Sequence, residues 1–325
     1  MLKWMPIFRA CVFLMLLPAC QNGTESSSSP DNQRHLEGEY YAVSFLGQYL
    51  AYPTFDEKTE NRLNAQLAEA RHAATANPDS EDALIWHGRR LAYLGRYHEA
   101  IRVYTDGLRS FPQSERILRH RGHRYISSRQ LDAAIVDFEK SANIAQNKAN
   151  RIEEDGMPNA MNKPIGTTKG NIWYHLGLAK YLRGDFDGAL RAYDLRMLQT
   201  DNNDDNRVST AYWRYIILMR LGRQDEAQNA LRLITPQMEV IENQSYWDLV
   251  LLFKGVKKAD DFMAGGDAVH DQHVMNATLE YGLSMHDYLQ GNLSAAESRW
   301  LAIIESKKAT TAFGFIAAEA ELARP

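Results

Sequence analysis

The sequence predicts an all-α protein built from repeated pairs of helices. Three observations lead to this prediction. From Leu36 onward, strand patterns are few and helical patterns are many. Similar residues recur 34 positions apart, as in Gly88 and Gly122 or Tyr104 and Phe138. The chain is 45% hydrophobic and 24% charged, an ordinary composition for a folded protein, which suits an array stabilised by stacking of neighbouring repeats.

Glycine, alanine and aromatic residues carry the 34-residue period. The fullest copy contains Trp173, Leu176, Gly177, Gly184, Ala189 and Tyr193. Earlier copies contain Gly88, Gly95, Ala100 and Tyr104, and then Gly122, Ala134 and Phe138. This pattern resembles that of the tetratricopeptide-repeat (TPR) family, whose unit is a helix–turn–helix of this length. The resemblance implies a right-handed TPR α-solenoid of about six repeats.

The recurring spacing of small and large residues within the chain has a steric interpretation. Glycines such as Gly88 let the first helix of a repeat approach the second closely. Gly95 and Gly184 are expected where the chain leaves the first helix, a place that favours a left-handed conformation. The alanines are small because helices cross there, and the aromatic residue four positions later is expected to fill the gap between adjacent repeats. Pro112 ends a helix because it has no amide to donate.

These positions divide the solenoid, residues 36–325, into units. Clear repeats are expected at about 81–114, 115–148, 170–203 and 208–241, a degenerate repeat at about 242–276 and a late one at about 277–310. Tyr40 to Leu50 is interpreted as a poorly matching first helix. A closing helix is expected near Thr311 to Leu322, with a solvated outer face.

The period is interrupted once. Gly122 and Gly177 are 55 residues apart, which is one period plus 21 residues. The sequence therefore predicts an insertion loop at about 147–169. Long loops in compact arrays are often functional, and the alternative is a tolerated surface insertion.

The N-terminal segment differs from the rest of the chain. Lys3 and Arg9 accompany a short apolar run, Ala10 to Leu17, which is shorter than the roughly 20 residues of a spanning helix. Residues 1–19 therefore fit a secretory signal peptide. The segment ends in Leu17-Pro18-Ala19-Cys20, which resembles a bacterial lipobox with Pro18 in place of the usual small residue. The resemblance implies a lipid on Cys20, and an ordinary cleaved signal is the alternative.

The residues after the predicted cleavage site resemble a tether. Residues 20–35 contain the lipidated cysteine and a serine-rich stretch with almost nothing to bury. In lipoproteins of the enteric type, an aspartate after the cysteine favours the inner membrane, and Gln21 stands there instead. We therefore expect a lipid-anchored protein on the periplasmic side of the cell envelope, at the outer membrane rather than the inner one. Cys11 lies in the signal, so the mature chain has no free thiol.

The TPR resemblance also implies a binding groove lined by one face of each first helix. The corresponding residues are Arg89, Tyr93, Arg116, Arg119, His123, Tyr174, Tyr181, Tyr212, Tyr281 and Tyr288. Six arginines and one acidic residue lie between Arg109 and Arg129, so an extended, partly acidic peptide of a protein partner is the expected ligand. The alternative is that these arginines solvate a helix face or pair with Glu153, Glu154 and Asp155.

Other classes of site lack support in the sequence. A net charge of −4 gives no reason to expect nucleic acid. His120 and His123, and likewise His270 and His273 in an expected loop, lack a third metal ligand. Asp201-x-Asn203-x-Asp205 lacks the glycine and glutamate of a calcium loop and is interpreted as a polar turn. No nucleophile or phosphate-binding motif is present, so no enzyme, metal or cofactor is predicted.

The leading hypothesis is a lipid-anchored periplasmic TPR scaffold that binds proteins or extended peptides at the cell envelope. A first alternative is a structural envelope protein that self-assembles into homo-oligomers through its amphipathic ends. A second is a ligand-binding or hydrolytic envelope protein that uses the 147–169 loop as a lid.

Overall fold

The computed structural model describes residues 39–154, 156, 159, 161–199, 203–262 and 270–324. These residues form a two-stranded hairpin, thirteen α-helices and one short 3-10 helix. The signal peptide, Cys20 and the tether lie outside the described residues. Within the described part, no helix is long and apolar enough to cross a membrane.

The elements follow one another along the chain with short connections. The strands are β1 (Tyr40–Val43) and β2 (Tyr49–Ala51). The helices are α1 (Glu57–Ala76), α2 (Glu81–Tyr93), α3 (Tyr97–Ser110), α4 (Glu115–Ser127), α5 (Leu131–Ala145), α6 (Thr168–Arg183), α7 (Phe186–Met197), α8 (Asp204–Arg220), α9 (Gln224–Leu231), α10 (Gln244–Phe253), α11 (His270–Leu289), α12 (Leu293–Glu305) and α13 (Phe313–Ala323), with the 3-10 helix Ala259–Phe262 between α10 and α11.

The helices from α2 to α9 form four consecutive pairs, and α11 and α12 form another. Two or three residues join the helices of each pair, so the two partners pack side by side. The first helices α2, α4, α6 and α8 contact one another in succession. They therefore share one side of the stack, which we term the first-helix face.

Glycines on the first helices lie against aromatic rings on the second helices. The pairs are Gly88 with Tyr104, Gly122 with Phe138, and Gly177 with Tyr193. A methyl group at any of these glycines would overlap the ring, so the close helix approach predicted from the sequence is confirmed. The rings lie against the glycine of their own repeat, and Tyr104 also stacks on His120 of the next repeat at a centroid distance of 6.0 Å.

The turns inside the pairs use a left-handed residue, as the sequence predicts. Gly95, Gly184 and Gly222 have φ angles of 76°, 88° and 71°. In the second pair the same place is taken by Arg129, with φ at 63°. A side chain in this conformation is unfavourable, so another interaction must hold Arg129 there.

The prediction of a first helix over Tyr40 to Leu50 is wrong, because this segment is an antiparallel β-hairpin. Tyrosine and valine favour strands, and Gly47 adopts a φ of 76° in the turn. The buried Tyr41 donates a hydrogen bond of 2.7 Å to the Thr310 hydroxyl. The hairpin therefore joins the beginning of the described chain to its last segment.

The degenerate repeat keeps its first helix, α10, but its second helix is replaced by a single 3-10 turn within the described residues. His270 and His273, expected in a loop, instead lie at the start of α11. Asn203, expected in a polar turn, is the N-cap of α8, where its side chain accepts from the amide of Asn206. Asp201 lies outside the described residues.

The closing helix forms where the sequence places it, but it is not a solvated cap. Residues 314–321 of α13 are all buried, because this helix is apolar on nearly every side. It packs against α6, α11 and α12. Since α6 is a first helix, α13 covers part of the first-helix face.

Candidate functional site

The arginines predicted to line the groove are engaged within the chain. Arg116 forms ion pairs of 3.1 Å with Glu81 and 2.5 Å with Asp82. Arg89 donates to the hydroxyl of Tyr93 and, at 2.9 Å, to the backbone carbonyl of Glu154. These contacts leave less cationic surface for an acidic peptide than the sequence alone suggests.

Arg119 is neutralised by the insertion loop. Its Nη2 lies 2.6 Å from a carboxylate oxygen of Glu153, and both side chains are at least nine-tenths buried. Asn171 donates a second hydrogen bond, of 2.7 Å, to the Glu153 carboxylate. The pairing of an arginine with the acidic loop, one of the two sequence-based alternatives, is therefore present at Arg119. Asp155 lies outside the described residues.

The insertion loop is fastened to the first-helix face at both of its ends. Ile152 and Thr167 form an isolated antiparallel bridge, and the amide of Glu153 donates to Gly166. The carbonyl of Ile165 accepts hydrogen bonds from the side chains of Asn203 and Asn206. The described part of the loop thus closes on itself at Ile152 and Thr167, and it is held to α4 through Glu153 and to α8 through Ile165.

Three histidines lie beside the covered arginines. His123 contacts the ring of His175 at 4.5 Å and that of Phe313 at 5.5 Å. Burial and then the nearby arginines hold the pKa values of His120, His123 and His175 well below the ordinary value, so the rings are neutral at pH 7. Within the described residues, no group of three or more His, Cys, Asp or Glu side chains is arranged to hold a metal ion.

Four of the five predicted groove tyrosines beyond α5 belong to the core. Tyr174, Tyr181, Tyr212 and Tyr281 are all buried. The hydroxyls of Tyr181 and Tyr281 lie 2.6 Å apart, and each donates to Glu321 of α13. The prediction placed these side chains in an open groove, whereas here the chain's own last helix contacts Tyr174, Tyr181 and Tyr281, and Tyr212 packs against Tyr246 and Phe253 of α10. The remaining tyrosine, Tyr288, is partly buried and lies under the guanidinium of Arg220.

Two glutamates fix α13 to the solenoid. Glu319, which has no exposed surface, pairs with Arg129 at 2.7 Å. Glu321 pairs with Arg220 and Arg324. Burial would raise the pKa of Glu321, but the two guanidinium groups hold it below its ordinary value. The last helix is therefore an apolar helix held against the first-helix face by two buried, ion-paired glutamates.

A cavity of about 320 Å³ remains between the insertion loop and α13, and we term it the central cavity. Its walls include Ile165, Tyr174, Arg196, Tyr246, Met275 and Phe313. Val274 and Met275, at the start of α11, line the cavity, and each is 40% exposed. The cavity thus combines apolar side chains with a polar wall of amides and hydroxyls.

Two further clefts are lined by charges that pair with each other. The larger, of about 700 Å³, lies between α1, α2 and α3 and contains the Arg96–Glu99 ion pair. The smaller, of about 300 Å³, lies under the insertion loop and contains the Arg116 pairs described above. Neither cleft presents a buried charge that lacks a counter-ion among its described neighbours.

Arg196 on α7 was not singled out from the sequence, yet it is a buried charged side chain in the wall of the central cavity. Its side chain donates to Thr210 at 3.0 Å, to the carbonyl of Gly170 at 2.7 Å and to Asn206 at 2.8 Å. Its guanidinium also lies 4.7 Å above the ring of Tyr174. Burial lowers the pKa of Arg196, because every one of these partners is neutral.

The repeat pattern holds a signal that could have found Arg196. It lies three residues after the aromatic position of its repeat, where the two preceding repeats have Gly107 and Ser141. Both are small and buried. An arginine at a position that elsewhere carries a small buried residue points to a polar role.

The chain was compared with known proteins at three levels. No family model matches it, and no curated protein matches it. Among solved structures, it is similar to the crystal structure of MamA protein, with 15% identity, a TM-score of 0.41, and coverage of 65% of this chain and 92% of that one. It is also similar to a tetratricopeptide repeat protein from Parabacteroides merdae ATCC 43184, with 12% identity, a TM-score of 0.43, and coverage of 82% and 80%.

A third similar structure is Naa15/Naa10 bound to HypK-THB, with 14% identity, a TM-score of 0.36, and coverage of 80% of this chain and 37% of that one. At these values no partner or activity is transferred to this chain. The all-α TPR fold rests on the helix pairs and on the glycine–aromatic packing, and in these respects the prediction from the sequence is confirmed.

Proposed function

We propose that this chain is a TPR scaffold that binds a protein partner through the central cavity. The observation that carries this proposal is the pair of exposed apolar side chains, Val274 and Met275, at a polar cavity on the first-helix face. Concave sites with an apolar wall and a few oriented polar groups are the usual form of binding pockets. Methionine also adapts its shape to different partners.

The size of the cavity restricts how a partner binds. About 320 Å³ is at the small end of ligand pockets, so it accommodates one or two side chains. An extended peptide lying along the whole face would instead have to displace the insertion loop and α13, which are held by buried ion pairs. We therefore propose a partner that inserts a short anchor rather than one that lies along the full groove.

The proposed location is the periplasmic side of the cell envelope, with a lipid on Cys20. The positively charged start, the short apolar run and the lipobox-like Leu17 to Cys20 support this proposal. Replacement of Cys20 by serine should move the protein from the membrane pellet to the soluble fraction and abolish incorporation of labelled palmitate. Unchanged labelling would exclude lipidation at Cys20.

Photo-crosslinking in native envelopes tests the binding surface. A benzoylphenylalanine at Met275 should give a discrete adduct with a partner, while the same residue at Leu301 on α12 should not. Leu301 is a matched control because it is 44% exposed and does not line the cavity. Equal labelling at the two positions contradicts the proposal. An adduct with a second copy of this chain would support the self-assembly alternative instead.

A further inference from the structure

The last helix is joined to the rest of the chain by a short connection. Residues 306–309, which we term the hinge, link α12 to residues 310–324, which we term the exchange segment and which contain α13. Residues 306–308 are exposed. The hydrogen bonds and ion pairs that hold α13 begin at Thr310, which accepts from Tyr41 and Arg129. The hinge is therefore separate from the contacts that it brings into place.

Two residues of the hinge have a left-handed backbone. Lys307 has a φ of 51° and Ala309 a φ of 50°. In this conformation the Cβ atom lies too close to the following carbonyl oxygen, a conflict that glycine avoids. Arg129 has the same kind of backbone and is held by its side-chain contacts, whereas Lys307 is exposed and Ala309 has only a methyl group. The reversal between α12 and α13 is therefore strained.

The surface that receives α13 fits this helix closely. Glu319 has no exposed surface and pairs with Arg129 at 2.7 Å. A methyl group at Gly314 would lie only 2.2 Å from the carbonyl oxygen of Ala277, so the backbones of α13 and α11 are in near contact. Charge and shape therefore both select this helix, and a second copy of the chain carries the same helix.

An exchange between two copies preserves these contacts. If each copy places its exchange segment on the first-helix face of the other, the pair of Arg129 with Glu319 forms twice. A four-residue hinge spans up to about 13 Å when it is extended, and an extended backbone has negative φ values at Lys307 and Ala309. The exchange therefore retains the packing of α13 and removes the strain of the hinge, which is the condition that favours domain swapping.

We infer that two copies of this chain exchange α13 and form a dimer, in which the last helix of each copy covers the first-helix face of the other. The inference does not rest on the proposed function, because the second copy is distinct from the partner that inserts an anchor into the central cavity. It does change the cavity, since Phe313 in its wall then comes from the other copy. The interface is the buried surface of α13 and not the amphipathic ends of the solenoid.

Complementary charge reversals test the exchange. The mature chain with Arg129→Glu has two glutamates at the buried pair, and the chain with Glu319→Arg has two arginines, so neither covers its own first-helix face correctly. An exchanged dimer with one copy of each has opposite charges at both pairs. After joint unfolding in urea and refolding, native mass spectrometry with one chain isotope-labelled should show this mixed dimer at least about tenfold above either dimer of identical chains. No mixed dimer from chains that fold overturns the inference.

Glycine substitutions in the hinge test the role of the strain. Lys307→Gly combined with Ala309→Gly relieves the strain in the monomer, so exchange no longer gains from it. The dissociation constant of the dimer, measured by sedimentation after refolding, should rise at least about a hundredfold. Lys308→Gly is the matched control, because Lys308 is exposed and its φ is not positive. It should change the constant by less than about threefold.

The results separate the exchange from other arrangements. A refolded chain that stays monomeric at every concentration overturns the inference. A dimer of equal strength in the double-glycine variant and in Lys308→Gly also overturns it, since such a dimer does not use the strained hinge. If the charge-reversed chains do not fold even together, the comparison of the hinge variants decides alone. A chain that ends at Lys308 should be monomeric, and a dimer of unchanged strength in that chain excludes α13 as the exchanged element.

Discussion

Arg129 occupies a backbone position that glycine holds in the first, third and fourth helix pairs. Its φ of 63° costs about 1–2 kcal/mol relative to glycine. The side chain makes up for this cost by reaching Glu319, the carbonyl of Thr310 and the carbonyl of Ser127. A single strained residue therefore connects a turn in the second helix pair to the last helix of the chain.

Replacing Arg129 by glycine should lower the free energy of unfolding. The change relieves the backbone strain but leaves Glu319 buried without its counter-ion, which typically costs about 3–5 kcal/mol. We expect a net loss of roughly 1–4 kcal/mol in urea titrations. The double variant Arg129→Gly with Glu319→Ala should be more stable than the single one, because neither charge remains. A single variant as stable as the unchanged chain would contradict the assigned role of the pair.

The buried histidines make stability depend on pH in a defined direction. His120, His123 and His175 have pKa values well below 6.5 in the folded chain, because burial and the nearby arginines disfavour their protonation. The unfolded chain protonates them near pH 6.5, so it binds more protons than the folded chain below that pH. The contribution of these neutral histidines to the free energy of unfolding is therefore fully present above pH 6.5 and is lost as the pH falls below it.

We expect the free energy of unfolding to decrease between about pH 7.5 and about pH 5.5, by up to about 1.4 kcal/mol per pH unit for each buried histidine. Urea titrations across this range measure the slope. His123→Asn should reduce the slope, whereas His72→Asn, at an exposed histidine on α1, should leave it unchanged. A free energy of unfolding that does not change with pH would mean that the pKa values of these histidines are the same in the folded and the unfolded chain.

At the scale of elements, the insertion loop depends on one buried carboxylate. Glu153 pairs with Arg119 and accepts from Asn171, whereas the neighbouring Glu154 is exposed and contributes a backbone carbonyl. The two residues are of the same type and adjacent, but they differ in burial. They therefore form a matched pair for testing how the loop is held.

Glu153→Gln should loosen the loop, because Arg119 then lacks its counter-ion. Hydrogen exchange of the backbone amides from 151 to 168 should become faster, with the largest change at Glu153 and Thr168, whose amides bond across the loop. Glu154→Gln should leave these rates unchanged. Equal rates in the two variants would show that backbone contacts alone hold the loop.

The elements differ in how far the sequence could predict them. The helix pairs were predictable because Gly88 and Tyr104 contact each other within one repeat, so the pattern recurs with every copy. The hairpin was not predicted because Tyr40 to Leu50 is apolar enough for either a helix or a pair of strands. The pairing of these two strands is not part of the repeat, so no recurring pattern indicates it. The place of α13 was not predictable either, because a helix that is apolar on nearly all sides does not reveal which surface it covers.

The candidate site was predictable only in part. Positions such as Arg89 and Tyr174 follow from the repeat, so they were assigned to the first-helix face. Their burial depends on the insertion loop and on α13, which are not repetitive. The contacts of Arg196 depend on which residues of α6 and α8 the fold brings to it, and that is a property of the folded molecule.

At the scale of the whole molecule, the two larger hydrophobic cores of the described residues meet near α4 and α5. One core runs from the hairpin to α4, and the other runs from α4 and α5 to α13. Tyr41 with Thr310 joins the hairpin to the last segment, and Arg129 with Glu319 joins the turn after α4 to α13. These long-range contacts should make the two cores unfold together.

Ending the chain at Lys308 removes α13 and both cross-connections. We expect two separate transitions in urea, one for the hairpin-to-α4 core and one at lower urea concentration for the remainder, where buried tyrosines lose their cover. The unfolding curves measured by tyrosine fluorescence and by circular dichroism should coincide in the full chain and differ in the shortened one. A single, unchanged transition would show that α13 does not couple the cores.

The buried last helix also has a consequence for the order in which the protein folds. The hairpin and the first pairs can pack as soon as they are synthesised, since their contacts are local. The aromatic surface under α13 stays exposed until residues 313–324 have been made, because these residues cover it in the finished protein. The newborn chain is therefore expected to expose this aromatic surface until the last helix is complete.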